Sequence, residues 1–180
     1  MVSGKYKFDK SVVKTLVKLY FAFGSILLLF VIAFQFDAVH LAVVAPFTSV
    51  VAAASSLAMN LFGAGAMASG NFLSTANYSI NVVDGCNGIY ATAILIAGII
   101  AYPSRLIHKV WGVVLGTLAV FVLNLGRVIS LFYLGQHYPD LFEEVHVYVW
   151  QPIIIVWAIF VWDFWSRQSA KSKKAVLAHP

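Results

Sequence analysis

Four long apolar runs dominate the pattern of hydrophobic and polar positions along this chain. They cover residues 16–36, 87–102, 110–134 and 147–164. At ~1.5 Å rise per residue, the first run alone can cross the ~30 Å hydrocarbon core of a bilayer. The pattern therefore predicts an all-α integral membrane protein with about four transmembrane helices.

Residues 41–62 form a further apolar segment with a different pattern. Pro46 lies near its start, and its larger apolar residues recur at spacings of three and four, as on one face of a helix. We predict a helix that lies in the outer interface or re-enters the membrane, rather than a fifth span. A full crossing is the alternative, and it would move the residues that follow to the other side of the membrane.

Residues 63–85 are the most polar stretch in the middle of the chain. Tyr78, Ile80 and Val82 alternate with polar neighbours, which is the pattern of a half-buried strand. Residues 71–73 can pair with this strand across a short turn, so we expect a small β-hairpin.

Composition and charge support membrane insertion and predict its direction. The 180 residues are 61% hydrophobic and 11% charged, which excludes an ordinary soluble domain and a disordered chain. Nine of the 12 Lys and Arg residues lie near the two ends, which predicts cytoplasmic basic tails at residues 1–15 and 166–180. The basic internal loop at residues 104–109 is expected on the same side, within a single membrane domain over residues 1–180.

Several classes of site find no support in the sequence. The basic residues at the ends do not form a face for nucleic acid, and the five scattered histidines lack metal-ligand spacing. No phosphate loop or dinucleotide fingerprint is present, so we expect neither a metal nor a cofactor. The single cysteine excludes an internal disulfide.

Cys86 is the first candidate for chemistry. It follows Gly85 and precedes Gly88 by two residues, at the outer N-terminus of a predicted helix. A helix N-terminus favours an anion and lowers a thiol pKa, which are the conditions that a nucleophilic thiolate needs. The alternative is a cysteine that only packs, since free cysteines are among the most often buried residues.

Arg127 is the one charged residue well inside a predicted span. An arginine in the membrane costs at least ~2.5–3.5 kcal/mol, so such a residue is a candidate for a functional site. Asn124 lies three residues earlier on the same helix face and is placed to hold the guanidinium. The alternative is a side chain that reaches the outer interface without forming a site.

His146 begins the last predicted span and carries the side chain best suited to acid–base chemistry near neutral pH. Glu143, three residues earlier, is placed to orient the ring, and His137 in the same outer loop is the rival candidate. With the predicted spans, Cys86, Arg127 and His146 come from three different helices to one depth near the outer face.

The ordered segments around these three residues resemble the exosortase/archaeosortase family, and the compact exosortase H type in particular. They are Gly85-Cys86-Asn87-Gly88-Ile89, then Asn124-Leu125-Gly126-Arg127-Val128, then His146, within a similarity that covers residues 57–165. This resemblance implies a membrane cysteine protease or transpeptidase, a hydrolase of the inner membrane with both tails cytoplasmic and its site at the periplasmic face of a Gram-negative bacterium. It implies exported substrates with a C-terminal sorting signal, built from a short motif of the IPTLxxWG kind, an apolar helix and a basic tail.

The resemblance also implies a role for each candidate residue: nucleophile for Cys86, oxyanion donor for Arg127 and acid–base for His146. Two other classes of function remain as alternatives. One is a non-catalytic membrane scaffold or assembly subunit, for which Cys86 would be inert. The other is a small oligomeric channel or carrier, with Arg127 lining its pore.

Overall fold

The computed structural model describes residues 10–178 of the chain, with side-chain surroundings for residues 13–171. Most of the described chain is helical, in α1 (Lys10–Ala33), α2 (Asp37–Asn60), α3 (Ile89–Ala101), α4 (Leu106–His137) and a last helix, α5. After the 3-10 turn Pro139–Leu141, α5 begins with Phe142–Glu144, widens into the π-helical turn Val145–Trp150 and continues as Gln151–Ala178. The predicted all-α membrane class is thereby confirmed.

Four of the described helices are long and apolar enough to cross a membrane, which is the number predicted from the sequence. Two of the helices in this group differ from those predicted. α2, with 24 residues, is long enough, whereas α3, predicted to be a span, is shorter at 13 residues. At ~1.5 Å per residue, α3 measures on the order of 20 Å and is shorter than a ~30 Å hydrocarbon core.

α2 buries polar side chains together with some of its apolar ones. Thr48, Ser55 and Val51 are fully buried, whereas Leu57 is 68% exposed and Leu61, directly after the helix, is 84% exposed. The helix packs on the residues that follow it and on α4. Buried hydroxyls with outward apolar groups are expected where the surroundings of a helix are apolar.

The start of α2 lies near the segment that carries Cys86. His40 at its start is 2.9 Å from Asp84, measured from Nε2 to Oδ2. Met59 near its end belongs to the same buried cluster as Cys86. By length and composition α2 can cross a membrane, so its interfacial or re-entrant position stays a prediction.

A small antiparallel sheet follows α2, with strands β1 (Met67–Ser69), β2 (Phe72–Ser74) and β3 (Ser79–Asn81) in the order β1-β2-β3. The predicted hairpin is the β2–β3 pair, in which Leu73 lies opposite Ile80. β1 is an addition that the alternation of residues did not indicate. Leu73 is fully buried, so the sheet packs its central residue into the cluster around Cys86.

The helices α3, α4 and α5 form the centre of the molecule, and α1 packs along α3. Leu95, Ile99, Val120, Ile154 and Ala158 make a second buried cluster between them. The three helices therefore hold the end of the bundle that carries Cys86, which we call the site end, in a fixed position. The turn between α3 and α4 lies at the opposite end of α3.

The two predicted basic tails are only partly covered by the described residues. Residues 1–9 and 179–180 lie outside them, whereas residues 166–178 continue α5 as helix.

The direction of the chain can be tested with topology reporters at two turns. Gly70 lies exposed in the β1–β2 turn at the site end, and Ser104 lies in the turn between α3 and α4 at the opposite end. We expect a reporter inserted at Gly70 to be periplasmic and one inserted after Ser104 to be cytoplasmic, because the basic loop stays inside. The measurement is the activity of a compartment-specific reporter in intact cells, and two signals from the same side would contradict this arrangement.

Candidate active site

Cys86 lies in a turn between β3 and α3, three residues before the first residue of the helix. Its backbone N–H donates to the carbonyl of Val83 at 2.8 Å, and Gly88 forms the N-cap of α3 with φ 80°. A left-handed φ of this kind favours glycine, since other residues meet a steric penalty there. The thiol therefore precedes the helix N-terminus, rather than occupying it as predicted.

The side chain of Cys86 contacts His146. The distance from Sγ to Nε2 is 2.8 Å, within hydrogen-bonding reach of a nucleophile and its base. Cys86 is 8% exposed and the His146 side chain 16% exposed, so the pair is screened from water but reachable from one side. Two residues that are 60 positions apart in the chain are thus brought together as the sequence predicts.

The contact links the tautomer of His146 to the protonation of Cys86. If Nε2 accepts the S–H of Cys86, a neutral ring must hold its own proton on Nδ1. Nδ1 faces Oε2 of Glu143 at 3.7 Å and has no hydrogen-bond partner among the described residues. That distance is too long for a hydrogen bond, and Glu143 is 76% exposed, so the predicted orienting bond is not formed.

The rival histidine is elsewhere. Nδ1 of His137 lies 2.9 Å from the backbone oxygen of Tyr133, at the exposed end of α4. The structure therefore brings His146 to the thiol, and His137 contacts its own helix.

Arg127 is buried, with only 1% of its surface exposed, which excludes the alternative of a side chain reaching the interface. Its Nη2 donates to the backbone oxygen of Gly85 and to Oε1 of Gln151, both at 3.1 Å. These two bonds use the two protons of Nη2. Nε is buried and finds no partner within the described part of the chain, so it is a free donor next to the turn that holds Cys86.

Asn124 does not hold the guanidinium as predicted. Its side chain is fully buried, yet its amide has no hydrogen-bond partner among the described residues. It packs on the backbone of Gly88 instead, where an added Cβ would lie 2.9 Å from Cγ of Asn124. α3 and α4 approach closely here, so the Asn124 amide lies against Gly88. Arg127 is hydrogen-bonded by Gly85 and Gln151 instead.

Gln151 is a site residue that the sequence analysis missed. Its backbone N–H donates the i→i+5 bond typical of a π-helix to the oxygen of His146. In a regular α-helix, residues five apart point about 140° away from each other. The wider π turn brings His146 and Gln151 to one side of α5, where they reach Cys86 and Arg127 respectively. The one available signal was a polar residue beside Pro152 within an apolar run.

The turn that carries Cys86 is also tied to α2. Nδ2 of Asn87 donates to Oγ1 of Thr48 at 2.8 Å, and Oδ1 of Asn87 accepts the N–H of Ile89 at 2.9 Å. Asn87 is fully buried, so these bonds satisfy an amide that would otherwise be unpaired. The thiol is consequently held from α2, α4 and α5 at once.

Electrostatics at the thiol run against the expectation from its helix position. Burial raises the pKa of Cys86, the guanidinium of Arg127 lowers it, and the carboxylate of Glu143 adds to the rise, with burial the largest effect. The raised pKa favours the neutral thiol of Cys86 over the thiolate.

No group of three His, Cys, Asp or Glu side chains within the described residues is arranged to hold a metal ion. The chemistry available from these side chains is that of a thiol, an imidazole and a guanidinium.

The structure is an apolar helix bundle with a buried cysteine–histidine pair and an adjacent arginine, an arrangement of side chains that can support nucleophilic chemistry. Residues 13–151 match the family model for transmembrane exosortases (Exosortase_EpsH), and this stretch contains all three residues. The chain therefore belongs to the exosortase family, as the resemblance of its motifs predicts. Neither a curated protein nor a solved structure gives a significant match to the chain.

The pKa of Cys86 can be tested through its alkylation. Because the pKa is raised, reaction with a membrane-impermeant thiol reagent should be slow at neutral pH and should accelerate as pH increases. Glu143→Gln removes a charge that raises the pKa, so it should speed alkylation at a fixed pH. Glu144→Gln is the matched control and should leave the rate unchanged. Equal rates for the two variants would contradict this electrostatic description.

Proposed function

We propose that this protein is a membrane-embedded cysteine protease or transpeptidase that cleaves C-terminal sorting signals of exported proteins. The observation that carries the proposal is the 2.8 Å contact between Sγ of Cys86 and Nε2 of His146, next to a buried arginine. Membership in the exosortase family supports the same conclusion. A scaffold would not require this geometry, and Arg127 is bonded within its own chain to Gly85 and Gln151.

In the first step, Nε2 of His146 takes the proton of the Cys86 thiol, and the sulfur attacks the scissile carbonyl of the substrate. The carboxylate of Glu143 stabilises the positive charge of the imidazolium that forms, because Nδ1 of His146 lies 3.7 Å from Oε2 of Glu143. The raised thiol pKa makes this transfer necessary, since the resting cysteine supplies little thiolate by itself.

In the second step, Arg127 stabilises the negative oxygen of the tetrahedral intermediate. Its Nη2 is fixed by Gly85 and Gln151, and its unpartnered Nε is available as a donor. A fixed donor of this kind needs little reorganisation as the charge develops. Arginine suits the role because it stays charged at any physiological pH.

The intermediate then collapses to a thioester on Cys86. The bond to the leaving segment breaks, and its nitrogen receives the proton held by His146. Water or the amine of a second substrate attacks the thioester, loses a proton to His146 and regenerates the thiol. No metal or cofactor is needed for these steps.

We further propose that the site is recessed within the inner membrane and opens toward the periplasm. α3 measures on the order of 20 Å from the turn near Cys86 to the basic loop, which is less than a ~30 Å hydrocarbon core. If that loop lies at the cytoplasmic surface, the thiol lies below the opposite surface. In this arrangement the sheet and α2 cover the thiol. Both tails of the chain lie in the cytoplasm.

Substrates of the compact exosortase H type would carry a motif of the IPTLxxWG kind, then an apolar helix and a basic tail. The motif would reach Cys86 from the periplasm, while the helix remains in the bilayer. The proposal therefore names membrane-anchored exported proteins and the surrounding lipid as partners, and no nucleic acid.

Substitution of the three site residues tests the proposal directly. Cys86→Ala should abolish processing of a co-expressed reporter that ends in such a signal, and Arg127→Ala should lower it by about 100- to 1,000-fold, as for loss of one oxyanion donor. His146→Ala should also abolish it, whereas the matched control His137→Ala should process normally. The measurement is the fraction of reporter shortened on a blot, with membrane levels of each variant checked. Processing by Cys86→Ala would remove the basis of the mechanism.

Gln151 gives a sharper test of the arginine. Gln151→Leu deletes one hydrogen bond to a charged group, worth ~1.5–3 kcal/mol, so kcat should fall by about 10- to 100-fold with KM little changed. Gln151→Glu keeps an acceptor at the same place but adds a negative charge that offsets the charge of the guanidinium, which stays protonated. If Arg127 acts through its charge, the Glu variant should accumulate normally and still lose activity. Full activity of the Glu variant would contradict that role of the charge.

A further inference from the structure

Two side chains of α2 contact the turn that carries Cys86, one on each side of the cysteine. Nε2 of His40 lies 2.9 Å from Oδ2 of Asp84, which is two residues before Cys86. Nδ2 of Asn87, the residue after Cys86, donates to Oγ1 of Thr48 at 2.8 Å. α2 therefore restrains the chain on both flanks of the candidate nucleophile.

A π-helical turn at His40–Val44 brings these two contacts to the same side of α2. In a regular α-helix, residues eight apart, such as His40 and Thr48, point about 80° away from each other. The extra residue that a π turn accommodates reduces this angle to about 20°. Such turns are frequent at functional sites, and the π turn Val145–Trp150 carries His146 to the same thiol.

The contact at Thr48 is the stronger restraint because it is buried. Thr48 and Asn87 are both fully buried. The side chains of His40 and Asp84 are 40% and 38% exposed, and an exposed ion pair contributes little. The Thr48 hydroxyl donates to the backbone oxygen of Val44 at 2.8 Å, which leaves its own oxygen as the acceptor for the Asn87 amide. Without that oxygen the amide would be a buried donor with no partner, which is costly.

Asn87 transmits this restraint to the thiol. Its backbone N–H and that of Cys86 both donate to the carbonyl of Val83, at 3.1 and 2.8 Å. Its side-chain oxygen accepts the N–H of Ile89, the first residue of α3, at 2.9 Å. Because Cys86 is the adjacent residue in this turn, a shift of Asn87 moves the sulfur relative to His146.

We propose that Thr48 is a positioning residue for Cys86, which it holds through Asn87 at the distance from His146 that proton transfer requires. His40 adds a weaker restraint through Asp84. The inference rests on the proposed function and assigns a part in it to α2. Misplacement of a reacting group by ~1 Å can lower a rate by about 100-fold, so a single buried hydroxyl on α2 controls kcat.

Substitution of Thr48 tests this proposal. Thr48→Val keeps the shape of the side chain and deletes the hydroxyl, so kcat for reporter processing should fall about 10- to 100-fold with KM little changed. Thr48→Ser keeps the hydroxyl and should retain most of the activity. If Thr48→Val does not accumulate in the membrane, Thr48→Ala deletes the same hydroxyl without adding a methyl group beside Asn87, and the same result is expected.

Ser55→Ala is the matched control. Ser55 is a fully buried hydroxyl on the same helix, and it has no hydrogen-bond partner in the described part of the chain. Its loss should leave kcat unchanged, and His40→Ala should lower kcat less than Thr48→Val. An unchanged kcat in Thr48→Val, a loss in Thr48→Ser or Ser55→Ala as large as in Thr48→Val, or a larger loss in His40→Ala would overturn the proposal.

A double-substitution cycle tests whether Thr48 acts through Asn87. In the Asn87→Ala protein the side chain no longer reaches Thr48, so the added Thr48→Val should change kcat by no more than about twofold. Effects of the two substitutions that multiply would show that Thr48 acts by another route and would overturn the proposal.

Alkylation of Cys86 separates the positioning of the thiol from the protease function, because it needs no substrate. Thr48→Val should speed alkylation several-fold at a fixed pH, since release of the turn exposes a thiol that is otherwise 8% exposed, whereas Ser55→Ala should not. Faster alkylation in a protein that processes no reporter would support the positioning role and dismiss the protease. An alkylation rate equal to that of the wild-type protein would dismiss the positioning role and leave the protease standing.

Discussion

The buried guanidinium of Arg127 is the constraint around which the site end is organised. A charge removed from water must be compensated inside the protein, and here a backbone oxygen of Gly85 and the amide of Gln151 do so. These bonds join α4 to the turn of Cys86 and to the start of α5. The same contacts that compensate the charge therefore place it beside the turn of Cys86, and its Nε has no hydrogen-bond partner among the residues that the structure describes.

The second constraint is the cover over the thiol. α2 and the sheet pack on Val128, Leu131 and Phe132 of α4 and enclose Cys86 in one apolar cluster. Burial of this kind raises the thiol pKa, which is why the proposed mechanism assigns activation of the thiol to His146. In that mechanism, exclusion of water would also strengthen the electrostatic effect of Arg127.

Much of this arrangement could be predicted from the sequence because composition and order carry strong signals. A single charge within an apolar run identified Arg127, and the order of spans placed Cys86 and His146 at the same end. Three features of the structure could not be predicted from the sequence. The π-helical turn that aligns Gln151 with His146 has no periodic signature, β1 is too short to show alternation, and the close approach of Gly88 to Asn124 depends on helix packing.

The most direct test of the account is a search for the covalent intermediate. The wild-type protein is co-expressed with a reporter that ends in a sorting signal, trapped rapidly and digested, and the peptide containing Cys86 is examined by mass spectrometry. The account predicts a reporter fragment joined to Cys86 by a bond that hydroxylamine cleaves, and no such adduct in Cys86→Ala. Processing of the reporter that proceeds equally well in Cys86→Ala, with no adduct on the wild-type thiol, would contradict it.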